Sequence, residues 1–231
     1  MRLARAGGIA IFLAYLGAVI GAGFASGQEI VQFFVRYQTG GFLGAVAAGL
    51  GFALLAVLLV YLAKAMKVSD YRGLLQGIMG PTLGKLTDIG ITLFLFLGIC
   101  TMISASGAVF HEHLYLSKEL GLLAAYVGII ICLYWGLSGL VMAYNVLVPL
   151  KVLLLLTVAT CAAMPTRGGM LKTLSASIST ATLPDYWVLA ALLYVAYNFT
   201  LAMVVLTEYS ALMPLGEAVT GAACGGLVLG L

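Results

Sequence analysis

Charged residues are scarce in this chain. Only 8% of its 231 residues are Asp, Glu, Lys or Arg, whereas a soluble domain carries about 25%. Hydrophobic residues make up 63% of the chain, and the mean hydropathy is +1.15. This balance excludes a soluble globular domain and indicates a membrane protein, so we expect the lipid bilayer as a partner. The net charge of +3 is too small and too scattered to indicate a nucleic-acid-binding protein.

Metal-ligating and catalytic side chains are also few. The two histidines stand together in His111-Glu112-His113, which lacks the H-E-x-x-H spacing of a zinc helix. The segment Gly136–Gly139 is similar to the serine motif of rhomboid-type intramembrane proteases, but no histidine follows it. We therefore expect no enzyme, metal or cofactor. The four cysteines lie in apolar segments without a CxxC pair: Cys100, Cys132, Cys161 and Cys224.

Long apolar runs are what the chain has instead. A membrane-spanning helix needs about 20 apolar residues, and the sequence predicts a series of such segments. They are Gly7–Val35, Phe42–Ala65, Ile89–Phe110, Leu120–Leu140, Val141–Met164 and Tyr186–Tyr209. A seventh run begins near Val219 and is too short to cross before Leu231, so we expect the chain to be incomplete as a membrane protein.

The distribution of lysine and arginine predicts the orientation. One side of the membrane receives Arg2, Arg5, Lys64, Lys67, Arg72 and Lys85, and the other receives Arg36, Lys118, Arg167 and Lys172. By the positive-inside rule, this predicts a multi-pass protein of the inner (plasma) membrane with a cytoplasmic amino terminus. The Lys64–Lys85 connection, which carries Gly80-Pro81, is predicted to be a cytoplasmic loop with a short interfacial helix. The Pro165–Asp185 connection is predicted to be the longest outer loop.

Four glycines and a carboxylate interrupt the first apolar segment between Gly17 and Ile30. Because glycine is a poor helix former, the cluster predicts a break between about Gly21 and Ser26, where backbone groups face a ligand. The alternative is that the glycines only permit close helix packing. Glu29 is either a coupling or gating group or an interfacial carboxylate without a special role. The candidate substrate-binding residues here are Gly21, Ala22, Gly23, Phe24, Ala25 and Ser26.

Lys151 lies about ten residues into the fifth apolar segment. An ammonium at that depth costs at least about 2.5 kcal/mol, so it needs partners within the protein. We predict a buried coupling residue between helices one and five, near carbonyls released by the break in the first helix. The alternative is that the side chain extends to the cytoplasmic surface.

Asn198 is the strongly polar residue near the centre of the sixth segment. We predict a second break around Tyr197, Asn198 and Phe199 that packs beside the first break and completes a substrate site. The alternative is an ordinary interhelical hydrogen bond from the asparagine.

At these residues the chain resembles the YkvI family of bacterial membrane proteins, through the GAVIGAGFASGQEI and YVAYNFTLAMVVL segments and the run Gly221–Gly230. It more distantly resembles the amino acid–polyamine–organocation (APC) transporters of the LeuT fold. That resemblance lies in Gly17–Phe24, in Asn145–Leu154 with its lysine, and in Tyr194–Glu208. The chain differs where Tyr197–Phe199 replaces the glycine usual in helix six of APC transporters.

The resemblance implies an all-α, LeuT-like bundle of two inverted five-helix repeats, truncated after the start of the seventh helix. Residues 1–231 would form one transmembrane domain, with about 1–164 as the first repeat and about 186–231 as the start of the second. It further implies that Lys151 stands where sodium-coupled relatives bind their second sodium ion. The expected function is a secondary active transporter of a small amino acid, amine or related zwitterion, with protons as coupling partners. The alternative is a non-transporting sensor or assembly subunit on the same scaffold.

Overall fold

The computed structural model describes residues 7–25, 27–163 and 186–230, and the regular structure in these ranges is helical. In chain order the helices are α1 (Gly7–Val19), α2 (Ala22–Ala25), α3 (Gln28–Phe33), a 3-10 helix (Val35–Tyr37), α4 (Gln38–Ala65), α5 (Tyr71–His113), α6 (Lys118–Tyr134), α7 (Gly136–Ala163), α8 (Trp187–Ala211) and α9 (Leu215–Val228). The prediction of an all-helical bundle is confirmed for these residues.

Several of these helices are apolar enough for a bilayer. Within the described ranges, three stretches have the length and composition to cross a membrane: Gln28–Ala65, Tyr71–His113 and Trp187–Ala211. Shorter apolar helices cover Gly7–Val19, Met142–Val158 and Leu215–Val228. These helices support the prediction of a membrane helical bundle.

The best-buried part of the structure lies where α1, α4, α8 and α9 pack together. Tyr15, Phe52 and Tyr194 are fully buried there, and the Tyr15 hydroxyl donates a hydrogen bond to the Phe52 carbonyl oxygen at 3.0 Å. Small residues bring α9 close to its neighbours. A Cβ atom on Gly221 would collide with the carbonyl group of Gly8, so this position requires glycine. The core therefore holds α1 firmly against the helices that carry the candidate site.

The segment before Gly80 forms a short helix that folds back on the rest of α5. Gly80 adopts φ 80° and ψ 170°, which interrupts the helical conformation. Asp88 accepts hydrogen bonds from the Tyr71 hydroxyl at 2.8 Å and from Arg72 Nε at 3.2 Å. A straight helix would separate residues 71 and 88 by about 26 Å, so these contacts require the reversal at Gly80. A short helix is therefore present in the Lys64–Lys85 connection, and its interfacial position stays a prediction.

Several predicted boundaries are wrong. The fourth and fifth segments meet at Trp135 and not at Leu140, because Gly136 takes a left-handed conformation with φ 56° and ends the run. The last apolar helix begins at Leu215, immediately after Pro214, and so earlier than predicted. The predicted loop Pro165–Asp185 lies outside the described residues.

Candidate functional site

The first apolar segment is broken, as predicted. Helix α1 ends at Val19, and the Gly21 N–H bonds back to the Val19 carbonyl at 2.8 Å instead of continuing the helical pattern. One turn of helix follows as α2, and Gly27 then takes a left-handed conformation with φ 75° before α3 begins. The break starts one residue before the predicted interval, at Ile20. Ser26 and the side chains of Ala22 and Ala25 lie outside what the structure describes.

Lys151 reaches this break from α7. Its Nζ donates a hydrogen bond to the Ile20 carbonyl oxygen at 3.1 Å. In an unbroken helix that carbonyl would accept a hydrogen bond from the Phe24 N–H. The predicted placement of the ammonium, beside a carbonyl that the break releases, is confirmed. The side chain therefore does not extend to the cytoplasmic surface, whereas its coupling role stays a prediction.

The Glu29 side chain folds back from α3 onto Gly23 of α2. A Cβ atom added to Gly23 would collide with Glu29 Oε1 and would lie 2.8 Å from its Cδ. A side chain at position 23 would therefore displace the carboxylate. The second oxygen, Oε2, is buried without a hydrogen-bond partner among the described residues. Glu29 thus belongs to the break, and its coupling or gating role stays a prediction.

Aromatic side chains of α8 pack against α3, the helix that carries Glu29. The Tyr197 hydroxyl interacts with the Glu29 carboxylate, and the rings of Tyr194 and Phe33 lie 5.5 Å apart. Phe33 stacks on Tyr197 with ring centroids 5.7 Å apart, and Phe34 meets Tyr194 edge-on at 4.9 Å. Sequence reasoning missed this cluster. The available signal was the spacing of Tyr194 and Tyr197, which places both on one face of a helix.

The prediction of a second break is wrong. Helix α8 runs from Trp187 to Ala211 without interruption, and the Asn198 Nδ2 donates to the Tyr194 carbonyl oxygen of the same helix at 3.2 Å. The segment around Asn198 contains neither glycine nor proline to open the helix. The alternative prediction was a hydrogen bond from Asn198 to a neighbouring helix, whereas the observed bond lies within α8.

The residues of the predicted second break still face the protein interior. Asn198 is 1% exposed, and the Tyr197 hydroxyl lies beside both its side chain and the Glu29 carboxylate. Phe199 and Phe24 are partly buried and pack against the core. Helix α8 therefore contributes side chains to the region of the first break, although it offers no broken backbone there.

The glycine cluster serves both packing and the break. A Cβ on Gly17 would lie 2.9 Å from Val148 Cγ2 on α7, and one on Gly21 would lie 3.2 Å from Met102 Cε. Gly17 therefore permits α7 to approach α1, which is the packing interpretation. Gly23 instead leaves room for the side chain of Glu29. Gly27 permits the left-handed turn before α3. The two interpretations apply to different glycines.

The chain is similar to two proteins of Bacillus subtilis (strain 168). YkvI, an uncharacterized membrane protein, is 30% identical over 219 residues, which are 93% of this chain and 61% of YkvI. YyaD, an uncharacterized protein, is 29% identical over 153 residues, which are 63% of this chain and 42% of YyaD. These findings support a YkvI-like membrane protein. The chain spans about three fifths of the length of YkvI. No family model matches, and no solved structure matches significantly.

Proposed function

We propose that this chain acts in secondary active transport of a small amino acid, amine or related zwitterion, coupled to protons through Lys151. The proposal includes the APC-like, inverted-repeat scaffold that the sequence resembles. The observation that carries it is the 3.1 Å hydrogen bond from Lys151 Nζ to the Ile20 carbonyl oxygen at the broken helix. An intramembrane cation held at a helix break is typical of a transport pathway and has no use in a simple anchor.

The contact supplies a plausible coupling chemistry. The ammonium form of Lys151 donates a charge-assisted hydrogen bond to the Ile20 carbonyl oxygen, which lies beyond the end of α1. Loss of the proton leaves an amine, which binds the carbonyl more weakly and releases the constraint between α7 and the end of α1. Protonation of one side chain would thereby change how firmly the break is held. This is the kind of two-state element that coupling requires.

The test is uptake into proteoliposomes that contain the purified full chain. The probes are radiolabelled alanine, γ-aminobutyrate and methylammonium, each supplied with and without an imposed pH gradient. We expect gradient-dependent accumulation of at least one probe, lost in Lys151→Ala. Lys151→Arg should not restore it, because arginine keeps its proton at working pH. Exposed Lys85 on α5 provides the matched control, since Lys85→Ala removes a lysine away from the break.

A non-transporting sensor or assembly subunit is the second candidate, and one observation favours it. Helix α8 is continuous over the described residues 187–211, so it lacks the break that the resemblance implies for this segment. A sensor would bind one of the probes without accumulating it. Wild-type protein that binds but shows no uptake under any gradient would support this candidate. Uptake in Lys151→Ala with unchanged pH dependence would instead contradict the coupling role.

A further inference from the structure

An apolar groove of about 450 Å³ lies between α4 and α8. Small residues form its floor. Ala48 and Ala191 are buried there, and a Cβ atom on Gly51 would lie 3.6 Å from Val195 Cγ2, so the two helices approach closely. Larger exposed side chains form its rims: Leu50, Leu54, Val188 and Leu192. The groove is therefore a cleft with an apolar lining and an open side.

The groove lies at the depth of the lipid acyl chains. Both helices belong to stretches that are long and apolar enough to cross a membrane. Its α4 lining runs from Ala47 to Leu55, in the middle of a helix that begins at Gln38 and ends at Ala65. An apolar cavity does not hold water, and an empty one loses the dispersion contacts of its lining. In the bilayer, a hydrocarbon group should therefore fill the groove.

The groove is too narrow to admit a helix. Ala47 and Leu55 lie about 12 Å apart along α4, so the volume corresponds to a mean cross-section of about 40 Å². A helix with its side chains is about 10–12 Å across, which gives a cross-section of about 80 Å² or more. A helix of a second copy could therefore cover the groove but not enter it. A single methylene chain is narrow enough to lie inside.

A cation lies near the end of the groove that contains Trp187. A Cβ atom on Gly40 would lie 2.8 Å from Trp187 Cγ, so the indole packs against the first turn of α4. Exposed Arg36 precedes Gly40 by four residues, which keeps their Cα atoms within about 14 Å of each other. Tryptophan and arginine at the end of a membrane span are typical of the headgroup level. This end of the groove therefore offers a positive charge to a lipid phosphate.

We propose that the groove holds one acyl chain of an anionic phospholipid whose phosphate binds Arg36. The apolar lining accepts the chain whatever its headgroup, and the guanidinium selects the anionic one. A basic residue near the membrane surface strengthens the binding of anionic lipid about fivefold. The site uses neither Lys151 nor Glu29, so it does not depend on the proposed function.

The experiment is photolabelling of the full chain in liposomes with phosphatidylglycerol that carries a diazirine in one acyl chain. Peptide mass spectrometry then locates the label. We expect the label to concentrate on residues 47–55 of α4 and 187–195 of α8. Label spread evenly over the exposed faces of α4, α5 and α8, as surrounding lipid alone would give, would overturn the proposal. Cross-links between two copies at these residues, in place of lipid label, would also overturn it.

Substitutions in the groove assign the label to the chain-binding part of the site. Gly51→Leu fills the groove and should remove the concentrated label from both helices. Gly98→Leu is the matched control on α5, where nothing lies within 4 Å of an added Cβ atom, and should keep the label. If Gly51→Leu does not fold, Ala47→Phe fills the groove from an exposed position. Concentrated label that persists in a folded groove-filling variant would contradict the proposal.

Competition between lipids tests the headgroup contact. Unlabelled phosphatidylglycerol should compete about fivefold better than phosphatidylcholine with the same acyl chains. Arg36→Gln should keep the label and lose this preference. Lys118→Gln removes an exposed lysine at the start of α6 and should keep the preference. A preference that is unchanged in Arg36→Gln, or absent in the unmodified chain, would overturn the proposed phosphate contact.

Discussion

Replacing Lys151 with methionine should abolish proton coupling while leaving the free energy of unfolding nearly unchanged. Methionine has a similar length and no charge, so the substitution removes the hydrogen bond to the Ile20 carbonyl and little packing. If Lys151 served only to hold α7 against α1, the substitution should instead destabilise the fold. A purely structural role of Lys151 therefore predicts a lower free energy of unfolding in this variant. A coupling role predicts a loss of proton-driven uptake with a nearly unchanged free energy of unfolding.

The magnitude follows from two opposing costs. Leaving the Ile20 carbonyl without its donor costs about 1–3 kcal/mol. Removing an ammonium from the middle of an apolar segment recovers at least about 2.5 kcal/mol on insertion scales. The two terms are comparable, so the net change in the free energy of unfolding should lie within about 2 kcal/mol of zero. A residue that contributes so little to stability at such depth is better explained by function.

The assay compares thermal unfolding in detergent with pH-gradient-driven uptake for the same preparations. Lys151→Gln is a useful companion because its amide keeps a donor for the carbonyl but carries no proton to transfer. We expect both variants to unfold near the wild-type midpoint and both to lose gradient-dependent uptake. A loss of more than about 4 kcal/mol in Lys151→Met would refute the reasoning, because the two costs could not then be comparable.

Three further substitutions test the site and its support. Gly23→Val should displace the Glu29 carboxylate and abolish gradient-dependent uptake of the probes in proteoliposomes, without preventing membrane insertion. Tyr15→Phe removes the buried hydrogen bond to the Phe52 carbonyl and should lower the free energy of unfolding by about 1 kcal/mol in denaturant titration. Gly221→Val should separate α9 from α1 and cost about 3 kcal/mol or more by overpacking, seen as a lower unfolding midpoint.

Each of these substitutions has a matched control. Gly98→Val and Gly216→Val add side chains where nothing lies within 4 Å of the new Cβ, so they should be nearly silent. Tyr61 is 51% exposed, and Tyr61→Phe should leave stability unchanged. Unchanged uptake of the probes in Gly23→Val would argue against a functional role for the contact between Glu29 and that glycine. Equal destabilisation by the two tyrosine variants, or by the two α9 glycine variants, would contradict the packing described for the core.

The features that were predictable from sequence depend on local chemistry and on the cost of burying charge. Glycines in an apolar run weaken a helix wherever they stand, so the break after α1 could be expected from the first 30 residues. The partner of Lys151 followed from membrane energetics, because a buried ammonium needs an acceptor and a broken helix supplies one. Both arguments lead to the observed contact with Ile20.

The predicted break in α8 relied on the polar side chain of Asn198 near the span centre and on the position of this segment in an inverted repeat. The stretch from Tyr197 to Phe199 contains neither glycine nor proline, and the glycine usual in APC transporters is absent there. The asparagine amide bonds within its own helix, which adds no reason for the backbone to open. A polar side chain at the centre of a span is therefore not enough to predict a break in the backbone.

The fold-back of Glu29 could not be predicted because it joins distant parts of the chain. Its contact with Gly23 depends on the left-handed turn at Gly27, and its aromatic surroundings come from α8, more than 160 residues later. One interruption of the first helix thus has two consequences. It releases the Ile20 carbonyl to Lys151, and it lets Glu29 turn inward towards Tyr197. A cation from α7 and a carboxylate from α3 thereby reach the same break, at Ile20 and at Gly23, which a continuous helix would prevent.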